Sequence, residues 1–203
     1  MNKSGLLIIL SGPSGSGKDT ILTELTKREA DIRVSISLTT RKPRDWEIDG
    51  KNYYFVDEGY FRRKLESEQI LEYAQYGTNF YGTPKVPVDQ WLSEGKTVIL
   101  KIEVQGAEKI RTIYPDAVSI FLMPPSMKML EERLRRRETE DEDEINRRLS
   151  IAVSEIKRSV EYDYYVINDI VGYAVSDICA IIQAEKQRTS RMKYIISEVI
   201  NNA

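Results

Sequence analysis

The sequence has no histidine in 203 residues and one cysteine, Cys179. Without histidine there is no Ser-His-Asp triad, no imidazole acid–base pair and no His-ligated zinc. With one thiol, no intrachain disulfide forms and no Cys-rich metal site can be built, which fits a reducing compartment. Long apolar runs are also lacking. Leu6–Leu10 is typical of the longest, far short of the ~20 residues that span a bilayer. Met1-Asn2-Lys3-Ser4-Gly5 leads into that run without a signal-peptide layout, so a cytoplasmic protein with no membrane contact is expected. Neither charge dominates: 30 Lys+Arg face 32 Asp+Glu, which argues against a dedicated nucleic-acid binder. Chemistry must therefore rest on Lys, Arg, Asp, Glu, Tyr, hydroxyls and backbone amides, and phosphoryl transfer needs little else.

A chain of this length reads as one domain, a single core carrying small inserted lobes. Leu6-Leu7-Ile8-Ile9-Leu10 is a continuous apolar stretch that Ser and Gly end abruptly, the pattern of a strand buried on both faces of a parallel sheet. Beyond the Gly-rich turn, Ile21, Leu22 and Leu25 fall on one side of a helix. Further strands are expected at Val98–Ile102, Val118–Leu122 and Tyr164–Ile167, separated by helical patterns. That order predicts an α/β fold with a parallel sheet flanked by helices. Residues 37–88, rich in Tyr, Gly, Thr and Arg, predict an inserted lobe of short strands. Residues 126–156 are charged and helical, and Ile145, Leu149, Val153, Ile156 and Val160 mark one apolar face. The acidic run Glu138–Glu144 reads as a solvated turn that also places negative charge at the N-terminus of the next helix. The remaining stretches, 1–36, 89–125 and 157–203, make the core.

The strongest motif is Gly12-Pro13-Ser14-Gly15-Ser16-Gly17-Lys18-Asp19-Thr20, after a predicted strand and at the start of a predicted helix. In that context it reads as a P-loop. Glycines let successive backbone N–H groups turn inward as an anion nest, and the helix N-terminus adds partial positive charge. Lys18 reaches β- and γ-phosphate oxygens. The motif normally has Ser or Thr after the lysine, as a Mg²⁺ ligand; here Asp19 stands there. Two readings stay open: the carboxylate holds the metal directly or through water, or Mg²⁺ rests on phosphates and water alone.

A P-loop implies a nucleotide but not a reaction. The segments Ser37-Leu38-Thr39-Thr40-Arg41-Lys42-Pro43-Arg44, Asp49–Phe55 and Leu71–Thr83 narrow it, together with Glu103-Val104-Gln105-Gly106, Pro124-Pro125-Ser126 and Val166-Ile167-Asn168-Asp169. In this order and spacing the chain resembles the guanylate kinase family over nearly its whole length. The resemblance implies a three-layer core of the P-loop NTPase type, with a GMP-binding lobe and a helical lid. It also implies Mg²⁺-assisted, in-line phosphorylation of GMP by ATP, with dGMP as a further acceptor. By motif position, Arg41, Arg44, Tyr53 and Tyr81 hold the GMP phosphate, and two guanidinium forks with two phenols do suit a dianion. Glu72, Ser37, Thr83 and Glu103 read the base: a carboxylate such as Glu72 accepts from both guanine N1–H and the N2 amine, which adenine cannot match. Arg133, Arg137 and Arg148 come from the lid to the transferring phosphates, while Arg135, Arg136 and Arg147 are solvated helix charges. Asn168 contacts adenine.

Four positions depart from the family pattern. Besides Asp19, Arg136 and Glu138 stand where glycines usually flank the second lid arginine, and Lys101 stands in place of an acid. Lys101 is expected to pair with Asp19 or with a phosphate. Two other functions compete with GMP phosphorylation: a non-catalytic interaction domain of the same fold, and a kinase for another small phosphorylated acceptor. An intact nest lysine speaks against the first and Glu72 against the second. The oligomeric state is open.

Overall fold

The structure is a computed structural model and describes residues 5–136 and 141–201. Its first strand, β1 (Leu6–Ser11), is buried along its whole length, as an uninterrupted apolar run requires. Helix α1 (Lys18–Arg28) and strand β2 (Ile32–Ser35) follow, then the short strands β3 (Leu38–Thr39) and β4 (Tyr54–Phe55) and helix α2 (Glu58–Glu66). The hairpin β5 (Ile70–Tyr76) and β6 (Asn79–Pro84) leads into α3 (Lys85–Ser93), β7 (Thr97–Lys101) and α4 (Val104–Ile113). After β8 (Val118–Met123) come α5 (Met127–Arg135) and α6 (Glu142–Arg158), then β9 (Tyr164–Ile167), α7 (Val171–Lys186) and α8 (Lys193–Asn201). None of the helices described is long and apolar enough to cross a membrane.

The main sheet has the order β2-β7-β1-β8-β9, and every pairing in it is parallel. Alternation along β1 divides the core in two. Leu6, Ile8 and Leu10 face Ile21 and Leu25 of α1 and Ile178 and Ile182 of α7. Leu7 and Ile9 face Val88 of α3 and Val104 and Ile110 of α4. Helices thus cover both faces of the sheet. Because all five strands run one way, the loops that leave their carboxyl ends gather on one edge, where ligands of open α/β sheets bind. The P-loop, Ser37, Glu103 and Asn168 all follow the ends of such strands.

Strands β3 to β6 form a second sheet, β4-β3-β6-β5, in which β3–β4 is parallel and β3–β6 and β5–β6 are antiparallel. The segment also contains α2, capped by Asp57 Oδ1, which accepts from Tyr60 N at 2.7 Å. Leu38, Phe61 and Ile70 give it a small core of its own.

Expected and observed apolar faces of α6 differ. Val153 and Val160 are exposed, at 40% and 77%, whereas Ala152 and Ser159 are buried. The inward stripe is therefore Ile145, Leu149, Ala152 and Ile156. The small Ala152 lets α6 close on Leu130 and Leu134 of α5, a fit that bulk-weighted reading of the pattern does not favour. The acidic run behaves as expected where it is described: Asp141 caps α6, accepting from Glu144 N at 2.9 Å, with Glu142, Asp143 and Glu144 in the first turn.

Candidate active site

The turn between β1 and α1 is shaped as an anion nest. Gly17 takes φ 95°, and a side chain there would run into the Asn168 amide. That amide donates to the Ser16 carbonyl at 2.7 Å, so the loop after β9 braces the loop after β1. Lys18 Nζ folds over the turn and donates to the carbonyls of Gly12 and Pro13. Two arginines of the α5–α6 pair already rest on the nest. Arg133 donates to the Asn168 carbonyl at 2.9 Å and to the Ser16 carbonyl at 3.5 Å. Arg148 donates to Ser14 Oγ at 3.1 Å and to Glu144 Oε1 at 3.0 Å. The two guanidiniums that grip Glu144 hold its carboxyl down to about 2. Arg135 is tied to Glu131 and Glu142 and Arg147 to Glu144, as expected of helix charges. Arg137 and Glu138, both singled out from the sequence, lie outside the described residues.

The nest opens into a cavity of about 330 Å³, whose far wall carries Ser37, Tyr53, Glu72, Tyr81 and Glu103. Ser14, Gly15, Gly17, Lys18, Asp19 and Thr20 line the near side. Glu72 is 7% exposed. Its Oε1 accepts from Thr83 Oγ1 at 2.5 Å, so Thr83 meets Glu72 directly. Burial raises the Glu72 carboxyl above the ordinary glutamate range, against the pull of the Thr83 hydroxyl and the Lys109 ammonium. Tyr53 and Tyr81 meet edge to face, with ring centroids 5.8 Å apart, and burial pushes the Tyr53 phenol up.

The arginines expected at the acceptor phosphate are less close. Neither Arg41 nor Arg44 lines the cavity. Arg41 stands 5.7 Å from the Tyr53 ring centroid and is held by Glu47 Oε1 at 2.8 Å. The Arg44 guanidinium lies 6.0 Å from the Trp46 ring, while its backbone N–H donates to Glu47 Oε2 at 2.8 Å. Asn168 is 2% exposed, its amide directed into the P-loop instead of open space.

Several residues of this arrangement escape sequence reading. Glu47, whose side chain is only 3% exposed, anchors the arginine loop, and nothing in Trp46-Glu47-Ile48 signals it. Glu155, one residue before Ile156 on α6, faces Glu103. Burial and that neighbouring carboxylate push it up to about 7, against the pull of Lys18. Gly106 was legible as part of a motif, but its purpose was not. Lys101, flagged as a departure, does pair with Asp19, with Nζ 2.6 Å from Oδ1.

Comparison with known proteins returns a single family. The family model described as guanylate kinase matches residues 4–185. A protein named guanylate kinase from Clostridioides difficile (strain 630) is 47% identical over 196 residues, covering 97% of this chain and 96% of its own. Another of that name from Caldanaerobacter subterraneus subsp. tengcongensis is 48% identical over 193 residues, covering 95% and 94%. Among solved structures, a crystal structure of guanylate kinase from Anaplasma phagocytophilum superposes with a TM-score of 0.78 at 34% identity, covering 94% of this chain and 90% of that one.

Proposed function

The chain belongs to the guanylate kinase family, and from that premise we propose how its residues divide the work. The protein is a nucleoside monophosphate kinase that moves the γ-phosphoryl of ATP onto GMP, giving ADP and GDP. One observation supports the division below: the phosphate nest and the buried Glu72 carboxylate open onto the same cavity.

On this reading the nest from Gly12 to Thr20 cradles the ATP phosphates, and Lys18 exchanges two backbone carbonyls for phosphate oxygens. Tyr53 and Tyr81 donate to the acceptor phosphate, and Arg41 and Arg44 turn in from Glu47 and Trp46 to complete the clamp. Glu72, ionised and held in place by Thr83, accepts from guanine N1–H and N2, with Ser37 and Glu103 beside it. Arg133 and Arg148, with Arg137, bring positive charge over the phosphoryl in flight, and closing the cleft excludes water. Attack needs no covalent intermediate; alignment and electrostatics supply the acceleration. Asn168 supports the donor site through Ser16 and, by the family resemblance, contacts adenine.

Mg²⁺ is the expected companion of ATP. Among the described residues no group of three His, Cys, Asp or Glu gathers to hold a metal. The cavity offers the Asp19 carboxylate as a hard oxygen donor, a donor set that suits an ion carried chiefly by phosphates and water. When bound, it neutralises charge on the β- and γ-oxygens. We assign 37–88 to GMP binding and 126–156 to a lid over a core of 1–36, 89–125 and 157–203. The work belongs in the cytoplasm, with dGMP as a second acceptor.

The deciding experiment supplies Mg·ATP with GMP, AMP, UMP, CMP or TMP and follows ADP release. Turnover with GMP alone among these five is expected. Equal turnover with AMP would overturn the role given to Glu72.

A further inference from the structure

Asp19 sits in the first turn of α1, one residue past the lysine of the nest, where the helix N-terminus favours a carboxylate but an incoming triphosphate does not. The nest and the helix N-terminus attract negative charge, and a carboxylate beside them opposes an incoming triphosphate. Asp19 is largely exposed, so such repulsion is partly screened and amounts to a modest penalty at a few ångströms.

The structure supplies the counter-charge. Lys101 closes β7, the strand next to β1, and its Nζ lies 2.6 Å from Asp19 Oδ1. The same ammonium stands 5.6 Å from the Tyr53 ring centroid. Its side chain is 24% exposed, against 80% for Asp19, so the cation is sunk in the cavity wall and the anion stands at the mouth. Burial works against the ammonium, but Asp19, together with Tyr53 and Glu103, outweighs it and keeps Lys101 above the usual lysine value. Each charge is unfavourable alone. A lysine sunk beside the Tyr53 ring needs an anion, and a carboxylate beside a phosphate nest needs a cation.

We propose that Lys101 is a positioning residue of the donor site: by neutralising Asp19 it lets the P-loop accept a triphosphate with a carboxylate directly after the nest lysine. The two residues are then one device: the carboxylate is tolerated beside the nest because the ammonium stands next to it. The inference rests on the nest being the ATP phosphate site.

The test is ATP binding by titration calorimetry, without divalent cation, to the parent, Lys101→Met, Asp19→Asn and the double variant. Lys101→Met is expected to weaken ATP about tenfold, the size of one exposed like charge acting across a few ångströms. Asp19→Asn removes the repelling charge and leaves the ammonium facing the phosphates, so it binds ATP at least as tightly as the parent. The double variant recovers the affinity that Lys101→Met loses, a rescue that a damaged fold or a lost direct contact to phosphate would not give. Lys101→Arg retains parental affinity. Unchanged binding by Lys101→Met, or a double variant as weak as the single, overturns the proposal. Lys18→Ala separates the layers: loss of ATP binding in Lys18→Ala but not in Lys101→Met removes the pair alone, whereas no loss in Lys18→Ala brings down the reading beneath it.

Discussion

The Glu72 carboxylate rests against Gly106 so closely that a Cβ at position 106 would stand 2.5 Å from Oε2 and 3.0 Å from Cδ. Gly106 lies in the first turn of α4, three residues after Glu103, and α4 packs against β5, which carries Glu72. The glycine is there for close approach. It lets a helix pass beneath a buried carboxylate that Thr83 holds from the other side.

Gly106→Ala should therefore act on base recognition. The methyl group displaces the carboxylate into the cavity, and one or both guanine bonds are lost. We expect the KM for GMP to rise roughly 10- to 100-fold, the worth of a hydrogen bond to a charged group, with the KM for ATP held. Preference for GMP over IMP, which lacks the N2 amine, should shrink in step. A variant that loses ATP and GMP together would show a packing fault instead.

Glu72 should also set an acid limb. It must be ionised to accept from two donors, and burial raises it above the ordinary glutamate value of 4.5. As pH falls, kcat/KM for GMP should decline earlier than an exposed carboxylate would dictate. Glu72→Gln should lower kcat/KM at neutral pH and abolish that limb. If the limb survives in Glu72→Gln, it belongs to another group.

Arg148 bridges the nest and the lid helix, touching Ser14 and Glu144. Arg148→Met should cut kcat by about 10²- to 10³-fold, as removal of one transition-state donor commonly does, with only a small change in ATP affinity. Single-turnover measurements would separate this from slow lid motion. A large rise in the Kd for ATP with kcat intact would place Arg148 in ground-state binding.

Glu155 predicts an unusual stability profile. Burial, with Glu103 beside it, raises its folded pKa from 4.5 to about 7. Between those values the native state retains a proton that the unfolded chain has released, so stability falls as pH rises through that window. Glu155→Gln should flatten the slope and leave the variant more stable than the parent above pH 7. Tm measured against pH decides it, and an unchanged slope would mean that Glu155 does not carry the proton.

The legible and illegible parts of this chain divide by range. Strand β1, the nest and the start of α1 could be read because the apolar run, glycines and lysine are contiguous, so local chemistry dictates local shape. The expected strand Tyr164–Ile167 coincides with β9, and the expected Val98–Ile102 lies one position beyond β7 at each end. Edge strand β2 was not anticipated, since Ile32-Arg33-Val34-Ser35 is too short and polar to stand out. On α6, Ala152 and not Val153 faces inward, because the separation from α5 and not side-chain bulk selects the residue. The Lys101–Asp19 pair was readable as two departures of opposite sign. Glu47 and Glu155 owe their positions to contacts made across the fold, for which no sequence spacing stands proxy.

The carbonyls of the P-loop have one more consequence. Those of Gly12 and Pro13 accept from Lys18, and that of Ser16 accepts from Asn168 and Arg133. A peptide flip at Ser16 would break bonds to β9's loop and to α5 at once. Nucleotide thus meets a loop that has already met its ordering entropy. The converse is a long reach for mutation: changes around Asn168 or along α5, none of them touching a phosphate, can soften the nest and weaken ATP from a distance.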